Sequence, residues 1–181
     1  MRVFCGLALA AVFGLATTGV RAEDVKSGPG KKIGGPFMVK AITGEKKGDT
    51  LCYVCKYNGE SRPAVVLIFT QKADDNLVKV VKAVDEVQKT NKDLGTVVVG
   101  VGGVQPADFE KLQSTHKLTT PLTVAEDQDG PKAYKLNKAA AVTVLVYKKG
   151  GEITKSFAFT DTKAAAAKAT DIAAAAKDVV K

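Results

Sequence analysis

The sequence predicts an α/β fold, and three observations carry that prediction. Two continuous apolar, largely β-branched runs, Ala64-Val65-Val66-Leu67-Ile68-Phe69 and Thr96-Val97-Val98-Val99-Gly100-Val101, read as strands covered on both faces. Between them the period changes: Leu77, Val81, Val84 and Val87 share one helical face, while Lys79, Lys82 and Glu86 lie elsewhere. Strands joined through such a helix run parallel, because a parallel pair needs a long crossover.

The remaining elements follow in chain order. Phe37, Val39 and Ala41 alternate with Met38 and Lys40 as a short strand, and Thr43-Gly44-Glu45-Lys46-Lys47-Gly48 turns the chain back toward Leu51. Asp74 and Asp75 suit the start of the first long helix. Pro106 opens a second helix with Phe109, Leu112 and His116 on one side. Leu122-Thr123-Val124 is a short strand, Asp127-Gln128-Asp129-Gly130 a turn, and residues 132–136 a helical turn or two. Residues 141–147 and 153–159, joined by the turn Lys149-Gly150-Gly151, read as an antiparallel hairpin. Thr160 or Asp161 caps a final helix with a slim apolar stripe of Ala165, Ala169, Ile172, Ala176 and Val179. There is no internal repeat and no second domain, as expected for 181 residues.

The N-terminus reads as a targeting segment. A basic Met1-Arg2, an apolar run over residues 3–16 and the small-residue site Val20-Arg21-Ala22 make residues 1–22 a secretory signal peptide cleaved after Ala22. The run is shorter than the ~20 residues that cross a bilayer, so no membrane span is expected after cleavage. Residues 23–35, rich in Lys, Gly and Pro, read as a flexible leader, and residues 36–181 as the folded domain. The expected location is exported, periplasmic or extracellular. Cleavage removes Cys5 and leaves Cys52 and Cys55 in an oxidising setting, where they are expected to pair.

Composition excludes several function classes. The net charge is +8, from 27 Lys and Arg against 19 Asp and Glu, but the arginines are Arg2, Arg21 and Arg62 alone and Trp is absent. Nucleic acid is therefore not an expected partner, since phosphates and bases are best held by guanidinium forks and stacked rings. The dispersed lysines read as a solvated surface that attracts acidic partners or anionic envelope components. With one histidine, His116, a histidine-rich metal site or a Ser/His/Asp enzyme has little material. That residue falls in line with Phe109 and Leu112 and reads as helix-end packing.

Several segments together resemble a known family. Pro121-Leu122-Thr123-Val124, Asp127-Gln128-Asp129-Gly130, Ala133-Tyr134, the run Val142 through Tyr147, and Lys149-Gly150-Gly151-Glu152-Ile153 are similar to the C-terminal half of the redoxins. These form the thioredoxin-fold group that contains peroxiredoxins and exported thiol-disulfide oxidoreductases. Gly34-Gly35-Pro36-Phe37 and the strand at 65–69 match the same layout, so the resemblance covers most of the mature chain. It implies a thioredoxin-like three-layer α/β/α fold with a central mixed sheet and an N-terminal β-hairpin extension. It also implies that redox cysteines would follow the first central strand, at the start of the next helix. That place holds Thr70-Gln71-Lys72-Ala73-Asp74-Asp75, and Ala141 or Val142 stands where the family has a cis-proline, so neither feature is carried over.

Cys52-Tyr53-Val54-Cys55 lies one strand earlier. Residues three apart in a strand are roughly 10 Å apart, whereas a disulfide needs α-carbons within about 7 Å, so pairing requires a turn despite Tyr53 and Val54. Two readings stand. In one, the pair is catalytic: Cys52, as the more exposed cysteine and helped by the neighbouring Lys56, attacks protein disulfides and Cys55 resolves the mixed disulfide. In the other, the protein is a non-catalytic binding module with a structural disulfide or a metal site shared by two chains. Zinc takes four ligands, and only a dimer pooling two cysteine pairs would supply them. Haem attachment would want histidine after Cys55 and finds Lys56, so no cofactor is expected. Gly100-Val101-Gly102-Gly103 has Gln105 in place of the third glycine of a nucleotide-binding turn, and Glu126, Asp127 and Asp129 lack calcium-loop spacing. Intact mass of protein from the native envelope should place the mature N-terminus at Glu23, and a retained Met1 would overturn the export argument.

Overall fold

The structure, a computed structural model, describes residues 25–181. The signal-peptide and cleavage-site expectations lie outside the described residues. The chain folds as β1 (Val39–Ala41), β2 (Thr50–Leu51), α1 (Tyr53–Gly59), β3 (Ala64–Thr70), α2 (Asp75–Thr90), β4 (Leu94–Gly100), α3 (Pro106–His116), β5 (Leu122–Ala125), a 3-10 turn (Lys132–Tyr134), β6 (Val142–Lys148), β7 (Ile153–Phe159), α4 (Thr162–Ala167) and α5 (Ala169–Val179).

One mixed sheet orders these strands β2-β1-β5-β4-β3-β6-β7. β3 pairs with β4 and β4 with β5 in parallel, each through a helical crossover, and the other pairings are antiparallel. Every residue of β3 and β4 is buried, as their unbroken apolar runs require. Alternation splits the sheet into two faces. Val66, Ile68, Val98, Val144 and Val146 pack under α2, α3, α4 and α5. Val65, Leu67, Phe69, Val97, Val99 and Leu145 pack under α1, the 3-10 turn and Phe37. The fold is thus the expected thioredoxin-like three-layer α/β/α, with β1 and β2 as the N-terminal hairpin.

The helix ends follow their side chains. Asp74 Oδ1 accepts from the backbone N–H groups of Asn76 and Leu77 at 3.0 Å, and its Oδ2 accepts from Thr162 Oγ1 at 2.6 Å, joining the starts of α2 and α4. Asp161 caps α4 through Ala164 N, and the helix breaks at Lys168 before the stripe continues in α5. Asp85, a carboxylate on the buried face of α2, accepts from the backbone N–H groups of Thr119 and Thr120 and from the Thr120 hydroxyl. It fixes the α3–β5 connection against α2.

Residues 25–35 are held more closely than their composition implies for a flexible leader. Ser27 Oγ lies 2.7 Å from Thr143 Oγ1, Gly28 N–H donates to Lys135 O, Ile33 N–H donates to Gly151 O, and Lys32 forms a main-chain β-bridge with Glu152. The physical reason is that Gly and Pro leave this segment little of its own to bury but let its backbone lie flat on the β6–β7 end of the sheet. Gly151, with φ +86°, permits that contact, because a Cβ there would lie 2.8 Å from Ile33.

Asp85→Ala should cost about 2–4 kcal/mol in urea unfolding, since it leaves two backbone N–H groups of the 119–120 connection without their acceptor. A loss under about 0.5 kcal/mol would show that Asp85 does not anchor the connection.

Candidate functional site

Cys52 and Cys55 are brought together by a helix that local preference alone does not favour. Tyr53 and Val54 are strand formers, yet they occupy the first turn of α1. Burial decides it: Tyr53 and Tyr57, four residues apart, share one helical face and bury both rings against the sheet, with centroids 5.6 Å apart. The Tyr57 hydroxyl donates to the Thr96 carbonyl at 2.5 Å, pinning α1 to β4. Gly95 makes room, because a Cβ there would lie 2.9 Å from the Tyr57 ring.

Cys52 is the N-cap of α1, in extended conformation, and its Sγ accepts a hydrogen bond from the Cys55 backbone N–H at 3.0 Å. The turn brings the two α-carbons to 5.2 Å, and a disulfide joins the pair. Exposure is the reverse of the expected order: Cys55 is exposed and Cys52 half-buried. The reason is position, since the capping residue is tucked against the strand end while Cys55 faces out from the helix opposite the tyrosines. Lys56 is otherwise engaged. Its Nζ contacts Glu60 Oε1 at 2.5 Å and lies 5.5 Å from the Tyr57 ring centroid, while Arg62 Nε meets Glu60 Oε2 at 2.7 Å.

Cys55 borders a groove of about 450 Å³ at the N-terminal end of β3. Val65, Tyr147, Ile33 and Val54 line it, with Gly35-Pro36 and Gly150-Gly151 as walls. The position just after β3, where the family resemblance places redox cysteines, lies at the opposite end of that strand, six residue steps or roughly 20 Å away. Gln71 occupies that end and donates through Nε2 to the Lys138 and Ala140 carbonyls. Ala141 directly precedes β6.

The other sequence candidates take structural places. His116 Nε2 lies 3.1 Å from Asp75 Oδ1, linking the end of α3 to the start of α2. Asp127 Oδ1 accepts from Asp129 N–H, and Asp129 pairs with Lys138. Gly100 packs on Phe109 and Val104 at the exit of β4, and Gly102 N–H donates to Gln128 O. Among the described residues no group of three or more His, Cys, Asp or Glu side chains could hold a metal ion, so the zinc reading requires two chains. No described helix is long and apolar enough to cross a membrane. The groove itself was not legible in the sequence, because its residues come from four separated segments.

Comparison with known proteins places the fold. No family model matches the chain, and no curated protein matches it. Among solved structures it is similar to peroxidoxin BcpB from Mycobacterium tuberculosis, with a TM-score of 0.58 at 17% identity, covering 83% of this chain and 97% of that one. The secreted thiol-disulfide isomerase of Corynebacterium glutamicum gives 0.56 at 11% identity, covering 81% and 84%. The exposed lipoprotein thioredoxin of Streptococcus pneumoniae gives 0.51 at 17% identity, covering 76% and 99%. The chain has the thioredoxin-like fold and resembles the redoxins in architecture.

All four tyrosines are pushed up from the ordinary phenol value, chiefly by burial, and Tyr53 reaches about 12, with Glu45 and Asp49 adding to its rise. Above pH 10 the unfolded chain therefore ionises phenols that the folded chain keeps neutral, so stability holds below pH 10 and declines as pH rises from 10 toward 12. Titration followed at 295 nm should show little tyrosinate at pH 10.5 and a rise that coincides with unfolding by circular dichroism. Half-ionisation near pH 10 in a folded protein would contradict the buried packing of α1.

Proposed function

We propose that this is an exported thiol-disulfide exchange protein whose working pair is Cys52 and Cys55. The observation that carries the reading is the asymmetry of the pair: one exposed cysteine beside an open groove, and one half-buried cysteine whose sulfur already accepts a backbone hydrogen bond. Exchange needs an accessible sulfur to be attacked and a stabilised thiolate to leave. Cys55 supplies the first and Cys52 the second.

With the pair oxidised, a client thiolate attacks Cys55 Sγ in line with the Cys52–Cys55 bond. A client–Cys55 bond forms, the Cys52–Cys55 bond breaks, and its electron pair leaves on Cys52 Sγ, where the Cys55 N–H holds the charge. A second client thiolate then attacks the client sulfur and displaces Cys55 as thiolate. The client has lost two electrons and the pair has gained them. Run backward, the same steps reduce a client disulfide, with Cys55 as nucleophile and Cys52 as resolving thiol. The partners are protein thiols or disulfides, and the oxidising compartment entered after export keeps the pair in play.

Two single substitutions separate the roles. In the reduced protein, Cys55→Ser should lower exchange with a small disulfide at least about 100-fold, because the accessible nucleophile is gone. Cys52→Ser should instead accumulate a mixed disulfide at Cys55, visible by mass spectrometry after acid quench. Turnover unchanged by either substitution would remove the exchange reading, and trapping at Cys52 in Cys55→Ser would reverse the roles.

A further inference from the structure

The groove beside Cys55 has a chemistry of its own. Its floor is apolar, made by Val65, Tyr147 and Ile33, while its rim carries Lys32, Lys149 and Arg62. Among the described residues no carboxylate lines it. Arg62 shares the Glu60 carboxylate with Lys56, while Lys32 and Lys149, both exposed, make no side-chain ion pair among the described residues. The two lysines are fixed at the rim by their backbones: Lys149 N–H donates to the Pro63 carbonyl, and Lys32 forms an antiparallel β-bridge with Glu152. An apolar floor of this size, edged by two exposed lysines and ending at the exposed Cys55, has a defined complement.

On the exchange reading above, we propose that this groove seats the segment flanking a client cysteine and selects an acidic client peptide, with an apolar side chain next to the cysteine and a carboxylate beyond it. The apolar side chain covers Val65 and Tyr147, and the carboxylate meets Lys32 and Lys149. The client sulfur then stands at Cys55. Its thiolate forms a bond to Cys55 Sγ as the Cys52–Cys55 bond breaks and the electron pair moves to Cys52 Sγ. Cationic clefts raise the encounter rate of anionic partners by about tenfold or more, and salt removes that gain.

The test uses the oxidised protein and four short cysteine peptides carrying Leu or Ser beside the cysteine and Glu or Lys beyond it, with 2-mercaptoethanol as an uncharged reference thiol. Rates are compared at equal thiolate concentration. The Leu/Glu peptide should react about tenfold faster than the Ser/Lys peptide, and Lys32→Glu with Lys149→Glu should lower its rate relative to 2-mercaptoethanol by about tenfold. Equal rates for the four peptides, or a ratio unchanged by the double substitution, would overturn the groove assignment while leaving exchange intact. If no thiol reduces the pair, the exchange reading fails instead, and fluorescence anisotropy of a Ser-for-Cys Leu/Glu peptide decides the groove: binding that weakens on charge reversal upholds it, and no binding overturns it.

Discussion

The structure depends on one constraint: the central strands β3 and β4 are apolar on both faces, so the sheet must be covered twice. Four helices meet that demand on one face. The other face has only a seven-residue helix, a 3-10 turn and a stretch of extended chain to cover it. Aromatic side chains make up the shortfall. Tyr53, Tyr57, Tyr134 and Phe69 supply large buried rings, and the half-buried Phe37 packs on them, its centroid 5.0 Å from that of Tyr134 in an edge-on contact. α1 exists because that face has to be closed, and the cysteine pair takes its place from α1.

This explains how the cysteine pair comes to lie at one end of a familiar architecture. The start of α2 is capped by Asp74, which also receives the Thr162 hydroxyl, so that end of β3 is committed to joining helices. Gln71 closes the adjoining loop through two carbonyls. At the other end of β3 the β6–β7 turn, the 25–35 segment and α1 meet without filling the space between them, and the groove is what remains. The same sheet thus presents a closed end after β3, held by Asp74 and Gln71, and an open end where this chain keeps its cysteines.

Much of the fold was legible because single residues dictated it. Unbroken apolar runs announced β3 and β4, a change to helical period announced α2, Pro106 opened α3, and Lys149-Gly150-Gly151 separated the strands of the terminal hairpin. Other features were not legible because long-range contacts created them. Tyr53 and Val54 prefer strand, and only burial of two tyrosines beneath the sheet turns them into helix. The order of exposure of the cysteines depends on which way α1 faces, which no local pattern encodes. Residues 25–35 are held mainly through backbone groups that any sequence carries, with the Ser27 hydroxyl as the side-chain contribution, so their composition alone read as a loose leader. The interruption at Lys168 has no strong breaker in the sequence, and the alanine stripe simply resumes beyond it.

A ring closed over so few residues constrains the unfolded chain by only about 2 kcal/mol, so the disulfide adds little that the buried tyrosines do not already provide. Its position is more informative than its contribution to stability. The hydrogen bond from Cys55 N–H to Cys52 Sγ caps the helix with the disulfide in place, and a Cys52 thiolate is a stronger acceptor for the same N–H. Breaking the S–S bond therefore strengthens the cap rather than removing it. The bond from Tyr57 to Thr96, which pins α1 to β4, involves neither cysteine. On the proposed exchange, a disulfide at the start of a short helix would therefore open and close with the contacts that hold α1 to the sheet left in place.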